Sequence, residues 1–523
     1  MKPFDIRGSF LLTPQHNEIR QLAVRGAGVT VFVGGVVLSI QVIATIVLAR
    51  LLTPSDFGLV TMVTTFSLLL VNFGWNGFTE ALLQRDVIDH YLVSNLFWIN
   101  AGAGLLLTMV FAAAGSLMAW FYRDPRVAHV AMAVSTTILL TTLSVHHLAL
   151  LKRAMCFSSV SSNDIVARVI SVSVSIVLAL AGWGYWALVA GIVAQSLSIC
   201  IGAWIMCRWI PSYPRRAAGT GHMVRFALRT YGRFVTNYST WNLDNLLVGW
   251  RFGAVSLGFY KKAYDLFALS ASQLVAPLTS VAVSALSRLD KDATQYRRYL
   301  LGAMGVTAFV GMGLGAELTL VGKDLIRLLL GSKWEESGRI FIFFGPGIGV
   351  MLLYYTHGWI HLSIGRVDRW LRWGLAEFSV TALLLLLGLR WGPVGIATAW
   401  TMSFWILTIP GLWYAGRPIR LGIAPVIAAV WKYLLASLLA GCACAAILQR
   451  FPFFVPPQNS VLIATRIAVI SALFVSLYLG AVIMLHRGCG PLYQVAGLFR
   501  DMLPGRYAQD RPDAVPVALG QTQ

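Results

Sequence analysis

The segment from Leu48 to Leu59 reads LARLLTPSDFGL and joins two apolar stretches through a short polar turn. Arg50 ends the first stretch, where an arginine can reach the membrane interface and complement the negative end of a helix dipole. Pro54 and Asp56 favour the turn, and Gly58 lets the next helix begin in close packing. The segment therefore predicts an elbow between two hydrophobic helices, which we expect on the periplasmic side.

The composition of the whole chain is that of a membrane protein. Of its 523 residues, 57% are hydrophobic and only 12% are charged, whereas a soluble domain carries about 25% charged residues. The formal charge of +20 does not indicate nucleic-acid binding, because Lys and Arg lie between apolar stretches and form no continuous basic surface. The six cysteines lack the spacing of a disulfide framework or a zinc site, so we expect no metal.

The length of the apolar stretches predicts the fold class. About fourteen of them are long enough for a spanning helix, which needs about 20 residues. The sequence therefore predicts an all-α polytopic membrane protein. Lys and Arg concentrate in the termini and in the loops on the same side, which predicts that both termini are cytoplasmic.

The elbow has a fainter copy roughly 200 residues later, in GWRFGAVSLGFY (Gly249–Tyr260), where Arg251 and Gly258 correspond to Arg50 and Gly58. Parallel repeats of this kind are used by transporters, with the substrate path between the halves. We therefore expect two six-helix lobes and two appended helices. The expected segments are a cytoplasmic N-terminal segment (1–26), an N-lobe (27–207), a basic linker (208–225), a C-lobe (226–416), the two appended helices (417–487) and a disordered cytoplasmic tail (488–523).

Polar residues recur along one face of the seventh apolar stretch. A charge at the centre of a membrane costs at least about 2.5–3.5 kcal/mol, so such residues indicate a wet cavity. Guanidinium groups suit an anionic pyrophosphate or acidic sugar, because they form bidentate hydrogen bonds. In the alternative interpretation, the first arginines only anchor the helix at the cytoplasmic surface. The candidate substrate-binding residues are Arg225, Arg229, Arg233, Asn237, Asn245 and, on the next stretch, Lys261.

Three acidic residues are candidates for ion coupling: Asp244, Asp265 and Glu80. Asp244 lies within the seventh stretch, where a carboxylate could carry a coupling proton because its charged form is costly to bury. Asp265 has an alternative role as the structural ion-pair partner of a nearby lysine. There is no P-loop, so we expect no cofactor and no catalytic residue, with an H⁺ or Na⁺ gradient as the energy source.

Three motifs resemble the polysaccharide transporter family of the MOP exporter superfamily: ARLLTPSDFGLV (49–60), EALLQR (80–85) and SNLFWIN (94–100). The resemblance implies two six-helix lobes around a central cavity. It also implies a flippase that moves undecaprenyl-pyrophosphate-linked oligosaccharide units across the bacterial inner membrane by alternating access. Membrane lipids are then partners, a polysaccharide polymerase and chain-length proteins are candidate partners, and nucleic acid is not.

Two other functions remain as alternatives. An ion-coupled drug antiporter of the same superfamily should have an acidic, aromatic cavity, and the cationic face argues against it. A membrane polysaccharide polymerase usually carries a large periplasmic loop, whereas the longest outward loop expected here, residues 323–339, is short. We therefore expect a transporter and not an enzyme.

Overall fold

The structure, a computed structural model, describes residues 3–5, 10, 16–74, 79, 82–83, 88–215, 220–289, 292–450 and 459–493. Within these ranges the chain consists of helices and connecting segments, apart from isolated bridge residues such as the pair Phe4 and Phe10. The predicted all-α architecture is therefore confirmed.

Outside the longer segments 75–89, 207–219 and 451–459, the helices follow one another through short connections, three of which include single 3-10 turns at Ser332–Trp334, Leu389–Trp391 and Arg417–Ile419. One run, Thr220–Arg288, is broken at Gly253 and contributes α7 (220–252) and α8 (254–288). The other helices are α1 (His16–Leu51), α2 (Pro54–Gly74), α3 (His90–Tyr122), α4 (Arg126–Arg153), α5 (Phe157–Leu180), α6 (Tyr185–Met206), α9 (Ala293–Leu330), α10 (Glu335–Ser363), α11 (Val367–Gly388), α12 (Gly392–Gly416), α13 (Ile423–Arg450) and α14 (Ser460–His486).

The break between α7 and α8 consists of a single residue. Gly253 has φ of 78° and ψ of −177°, a backbone conformation that is essentially restricted to glycine. A Cβ atom at this position would meet no atom within 4 Å. The conformation, and not lack of space, therefore requires glycine here.

The turn between α1 and α2 contains a capping box in the sequence Thr53-Pro54-Ser55-Asp56. The Asp56 carboxylate accepts hydrogen bonds from the Thr53 backbone N–H at 2.8 Å and from its hydroxyl at 2.6 Å. The Asp56 N–H in turn donates to the Thr53 hydroxyl at 3.4 Å. This reciprocal arrangement satisfies backbone donors at the start of a helix, and Pro54 occupies the first helical position, where no N–H is needed.

Eleven helical runs among the described residues are long and apolar enough to cross a membrane. One of them, Asp368–Ile419, contains both α11 and α12, whereas α7 and α8 are not among the eleven. Trp183 and Trp391, at the ends of α5 and α11, are 57% and 70% exposed, as expected for indole rings at a membrane interface. The chain is a multi-pass membrane protein, and its fourteen spans and cytoplasmic termini remain predictions.

The chain divides into two compact units. Unit 1 comprises Met1–Ser270, Gly322–Gly345 and Leu371–Ser403, and unit 2 comprises Ala271–Val321, Pro346–Trp370 and Phe404–Gln523. Within unit 1, α5 lies against α1 and α6, while α4 lies against α2, α3 and α6. Within unit 2, α13 lies against α14.

Left-handed backbone positions recur in the two halves of the sequence. After α3, α4 and α5 the chain uses a residue with positive φ, and it does so again after α9, α10 and α11, roughly 210 residues later. This pattern supports the predicted repeat, while the lobe boundaries remain predictions. The corresponding pairs are Arg123 (57°) and Gly331 (98°), Met155 (56°) and Gly365 (66°), and Gly184 (55°) and Gly392 (72°).

We predict that Gly253→Ala lowers the free energy of unfolding by about 1–3 kcal/mol, because alanine is strained in this conformation. Unfolding in mixed detergent micelles would measure it. The matched control is Gly441→Ala inside α13, where a Cβ also meets no atom within 4 Å and alanine should stabilise by up to about 1 kcal/mol. Equal stability of the two variants would contradict the prediction.

Candidate functional site

The predicted coupling residue Asp244 is completely buried and is surrounded by neutral donors. One carboxylate oxygen accepts hydrogen bonds from the Tyr260 hydroxyl at 2.7 Å and from the Trp400 indole N–H at 2.9 Å. The other accepts from the backbone N–H of Asn245 at 2.8 Å. These three bonds join α7, α8 and α12 at one carboxylate, and they satisfy a group that would otherwise be costly to bury.

Aromatic rings surround this carboxylate. Trp241 stacks on Trp400 with ring centroids 5.3 Å apart, and Tyr264 lies 6.2 Å from the same indole. Phe344 lies 5.6 Å from the ring of Tyr260. Tyr260 and Trp400 are themselves at most 1% exposed. The carboxylate therefore lies in a buried, largely aromatic environment.

A cationic cluster on α8 begins at the residue after Tyr260. Lys261 Nζ lies 2.7 Å from one carboxylate oxygen of Asp265, and Lys262 Nζ lies 3.6 Å from the other. Lys262 is only 9% exposed, and its ammonium also sits 4.1 Å from the centre of the Phe57 ring. Asp265 is thus shared by two lysines, which corresponds to the structural ion pair considered as its alternative role, and the trio keeps one net positive charge.

The first elbow (residues 50–58) and the second elbow (residues 251–258) touch directly. A Cβ on Gly58 would lie 1.7 Å from the carbonyl oxygen of Ala254, and a Cβ on Gly258 would lie 1.9 Å from that of Pro54. Each glycine thus faces the residue four positions before the other glycine. The contact is reciprocal in the way a two-fold axis requires, and only glycine leaves room for it.

The two elbow arginines have different partners. Arg50 donates to the backbone oxygens of Leu328 at 2.8 Å and Leu329 at 3.1 Å, in the last turn of α9. It therefore caps the carbonyl end of another helix, in addition to ending its own. Arg251 is exposed and lies over the ring of Phe252 at 5.9 Å.

Trp334 packs against the first elbow and hydrogen-bonds to the residue before it. Its indole N–H donates to the backbone oxygen of Ala49 at 2.8 Å, and its ring meets Phe57 edge-on at 5.4 Å. Phe57 therefore lies between a buried indole and the ammonium of Lys262. Phe57, the apolar side chain of the elbow motif, is therefore fixed by packing, in addition to the backbone contact at Gly58.

The predicted cationic face is only partly described. Arg225 is exposed on α7. The side chains of Arg229, Arg233 and Asn237 lie outside the described residues, as does Glu80. Their assignment to a substrate cavity remains a prediction.

The asparagines near these sites have mainly structural contacts. Asn245 is 2% exposed, and its amide N–H donates to Asn242 at 3.4 Å. On α3, Asn100 donates to the backbone oxygen of Thr142 at 2.9 Å, and Asn95 accepts from the backbone N–H of Arg215 at 2.9 Å. These bonds tie α3 to α4 and to the segment after α6, which is a structural role.

Sequence reasoning identified Asp244 but missed its donors. Tyr260 and Trp400 are aromatic residues in apolar stretches, and such residues are common at membrane interfaces. The proximity of Tyr260 to Lys261, Lys262 and Asp265 was the one available signal. Nothing in the local sequence around Trp400 indicates that it reaches a carboxylate on α7.

The fold is that of a polytopic membrane transporter. The solved structure of lipid II flippase MurJ in an inward closed conformation matches it with a TM-score of 0.68, covering 89% of this chain and 99% of that chain at 16% identity.

The sequence places the protein more narrowly. The model of the polysaccharide biosynthesis protein family matches residues 47–339, and the chain belongs to this family. Teichuronic acid biosynthesis protein TuaB of Bacillus subtilis (strain 168) is 23% identical over 386 residues, which cover 72% of this chain and 78% of TuaB. Succinoglycan biosynthesis transport protein ExoT of Rhizobium meliloti (strain 1021) is 21% identical over 424 residues, which cover 80% of this chain and 84% of ExoT. The family resemblance predicted from the motifs is confirmed.

We predict that Tyr260→Phe lowers the free energy of unfolding by about 1–3 kcal/mol, because it leaves a buried carboxylate one donor short at almost unchanged volume. Denaturation in detergent would measure the change. The control is Tyr299→Phe on α9, whose ring is 37% exposed. A loss no larger than that of the control would show that the hydroxyl does not support Asp244.

Proposed function

We propose that the protein is a flippase of the bacterial inner membrane that moves lipid-linked oligosaccharide units from the cytoplasmic to the periplasmic leaflet. Family membership and the names of TuaB and ExoT support a role in surface polysaccharide synthesis. The match to a lipid II flippase supports a fold suited to a polar head group on a lipid tail. A polysaccharide polymerase and chain-length proteins would then use the delivered units.

The reciprocal contact between the elbows is the observation that supports an alternating-access cycle. Gly58 and Gly258 occupy corresponding places in the two sequence repeats, so their contact joins the proposed lobes at one end of the helices. A transporter with its site between two lobes must close one end while the other is open. At the two glycines backbone meets backbone, and Lys262, which lies against Phe57 of the first elbow, keeps Asp265 as its ion-pair partner on the same helix. The elbows can therefore separate without breaking an ion pair.

Asp244 is the proposed coupling group. Its carboxylate holds α7, α8 and α12 together through donors alone. A bound proton or Na⁺ would compete with the Tyr260 and Trp400 hydrogens for the same oxygens. Ion binding would therefore weaken the junction of these helices, which is how an H⁺ or Na⁺ gradient could drive the cycle.

The direct test is transport by purified protein in liposomes. A fluorescent polyprenyl-pyrophosphate oligosaccharide is placed in both leaflets, and the rate at which it becomes accessible to an external quencher is measured. A protein-dependent rate supports the proposal. Movement of organic cations without movement of this lipid would identify an antiporter, and growth of the saccharide chain would identify a polymerase.

We predict that Gly58→Ala slows flipping at least about tenfold, because a methyl group at this position prevents closure of the elbows. The matched control is Gly35→Ala on α1, where a Cβ meets no atom within 4 Å. Both variants should be monodisperse in detergent. A wild-type flipping rate for Gly58→Ala would show that elbow closure is not part of the cycle.

We predict that Asp244→Asn removes the response of flipping to an imposed gradient, because the amide cannot gain and lose a proton or balance the charge of Na⁺. The measurement compares rates with and without a pH or Na⁺ gradient across the liposome. An undiminished response to both gradients would place coupling elsewhere.

A further inference from the structure

An arginine in the middle of α5 has no acidic partner among the described residues. Arg168 lies near the centre of this 24-residue helix, and its Nη1 donates to the side-chain oxygen of Gln41 on α1 at 2.9 Å. Among the described residues no carboxylate lies within ion-pair distance of its guanidinium, although Asp164 is one turn away on the same helix. The positive charge is therefore matched only by a neutral amide.

Arg168 lies far from both ends of its helix. At about 1.5 Å per residue, it is about 16 Å from the start of α5 and about 18 Å from its end. An arginine side chain spans neither distance, so its guanidinium does not reach past an end of the helix. Gln41 lies at a comparable depth, about 15 Å before the end of α1 at Leu51.

The guanidinium of Arg168 also has N–H donors that Gln41 does not use. Its Nε is buried without an acceptor, and Gln41 occupies only one of its five N–H donors. Gln41 is exposed and Arg168 is partly exposed, so the pair is not enclosed by protein. An oxyanion is the group that both neutralises this charge and accepts several of these donors at once.

We propose that Arg168, positioned by Gln41, binds an oxyanion of the transported molecule within the membrane-spanning part of α5. This inference rests on the proposed flippase function and assigns a substrate contact outside the predicted cationic face of α7. The anion is either the pyrophosphate that links the sugar to its lipid or the carboxylate of an acidic sugar. Arg168 then contacts the anionic head group inside the membrane, where the charge of the head group is costly to bury.

The test uses steady-state flipping by the full-length protein in liposomes, with substitutions that change charge at one point. Arg168→Gln should raise the KM for the lipid-linked saccharide about tenfold or more, with a smaller change in kcat. Gln41→Glu keeps the arginine but neutralises it internally, and it should raise KM to a similar extent. The matched control is Gly35→Ala on the same helix, where a Cβ meets no atom within 4 Å, and it should leave KM within about twofold of the wild type. Arg168→Lys should fall between the wild type and Arg168→Gln.

Two substrates identify the anion. A unit with only neutral sugars and a unit with a uronic acid both carry the pyrophosphate. A KM effect on both assigns the contact to pyrophosphate, and an effect on the acidic unit alone assigns it to the sugar carboxylate. Unchanged KM values in Gln41→Glu, while the wild type flips both lipids, would overturn this inference and leave the flippase function intact. Failure of the wild type to flip either lipid would instead overturn the proposed function.

Discussion

The proposed alternating-access cycle depends on one constraint, the close approach of two glycines, Gly58 and Gly258. At each glycine a Cβ atom would lie less than 2 Å from a backbone oxygen of the opposite elbow, so backbone meets backbone directly. The capping box that starts α2 and the backbone break at Gly253 that starts α8 set the geometry of the two elbows. Both devices are local, and together they produce a contact between distant parts of the sequence.

The first turns of α8 connect this contact to the buried carboxylate. Gly258 meets the first elbow, Tyr260 donates to Asp244, and Lys262 lies against Phe57 of the first elbow. These residues lie within five consecutive positions of one rigid helix. A change in hydrogen bonding at Asp244 and a separation of the elbows therefore act on the same short segment, which is a physical route for coupling ion binding to conformational change.

Sequence reasoning predicts those features that depend on local chemistry. The elbow, its repeat and the intramembrane position of Asp244 follow from turn residues, glycine placement and hydropathy. Partners that are distant in sequence could not be predicted: the pairing of Gly58 with Gly258, the Trp400 indole on Asp244 and the Gln41 amide on Arg168. Each depends on which helices become neighbours, and that is decided by packing over the whole chain.

Separation of the elbows can be followed directly as a distance between them during transport. Spin labels on Leu51→Cys and Val255→Cys, in a background without the six native cysteines, report this distance by pulsed electron resonance in liposomes. Both positions are at the protein surface, at 36% and 51% exposure. The account predicts one short distance at rest and a second, longer distance when lipid-linked substrate and an ion gradient are supplied. A single short distance under active flipping would contradict it.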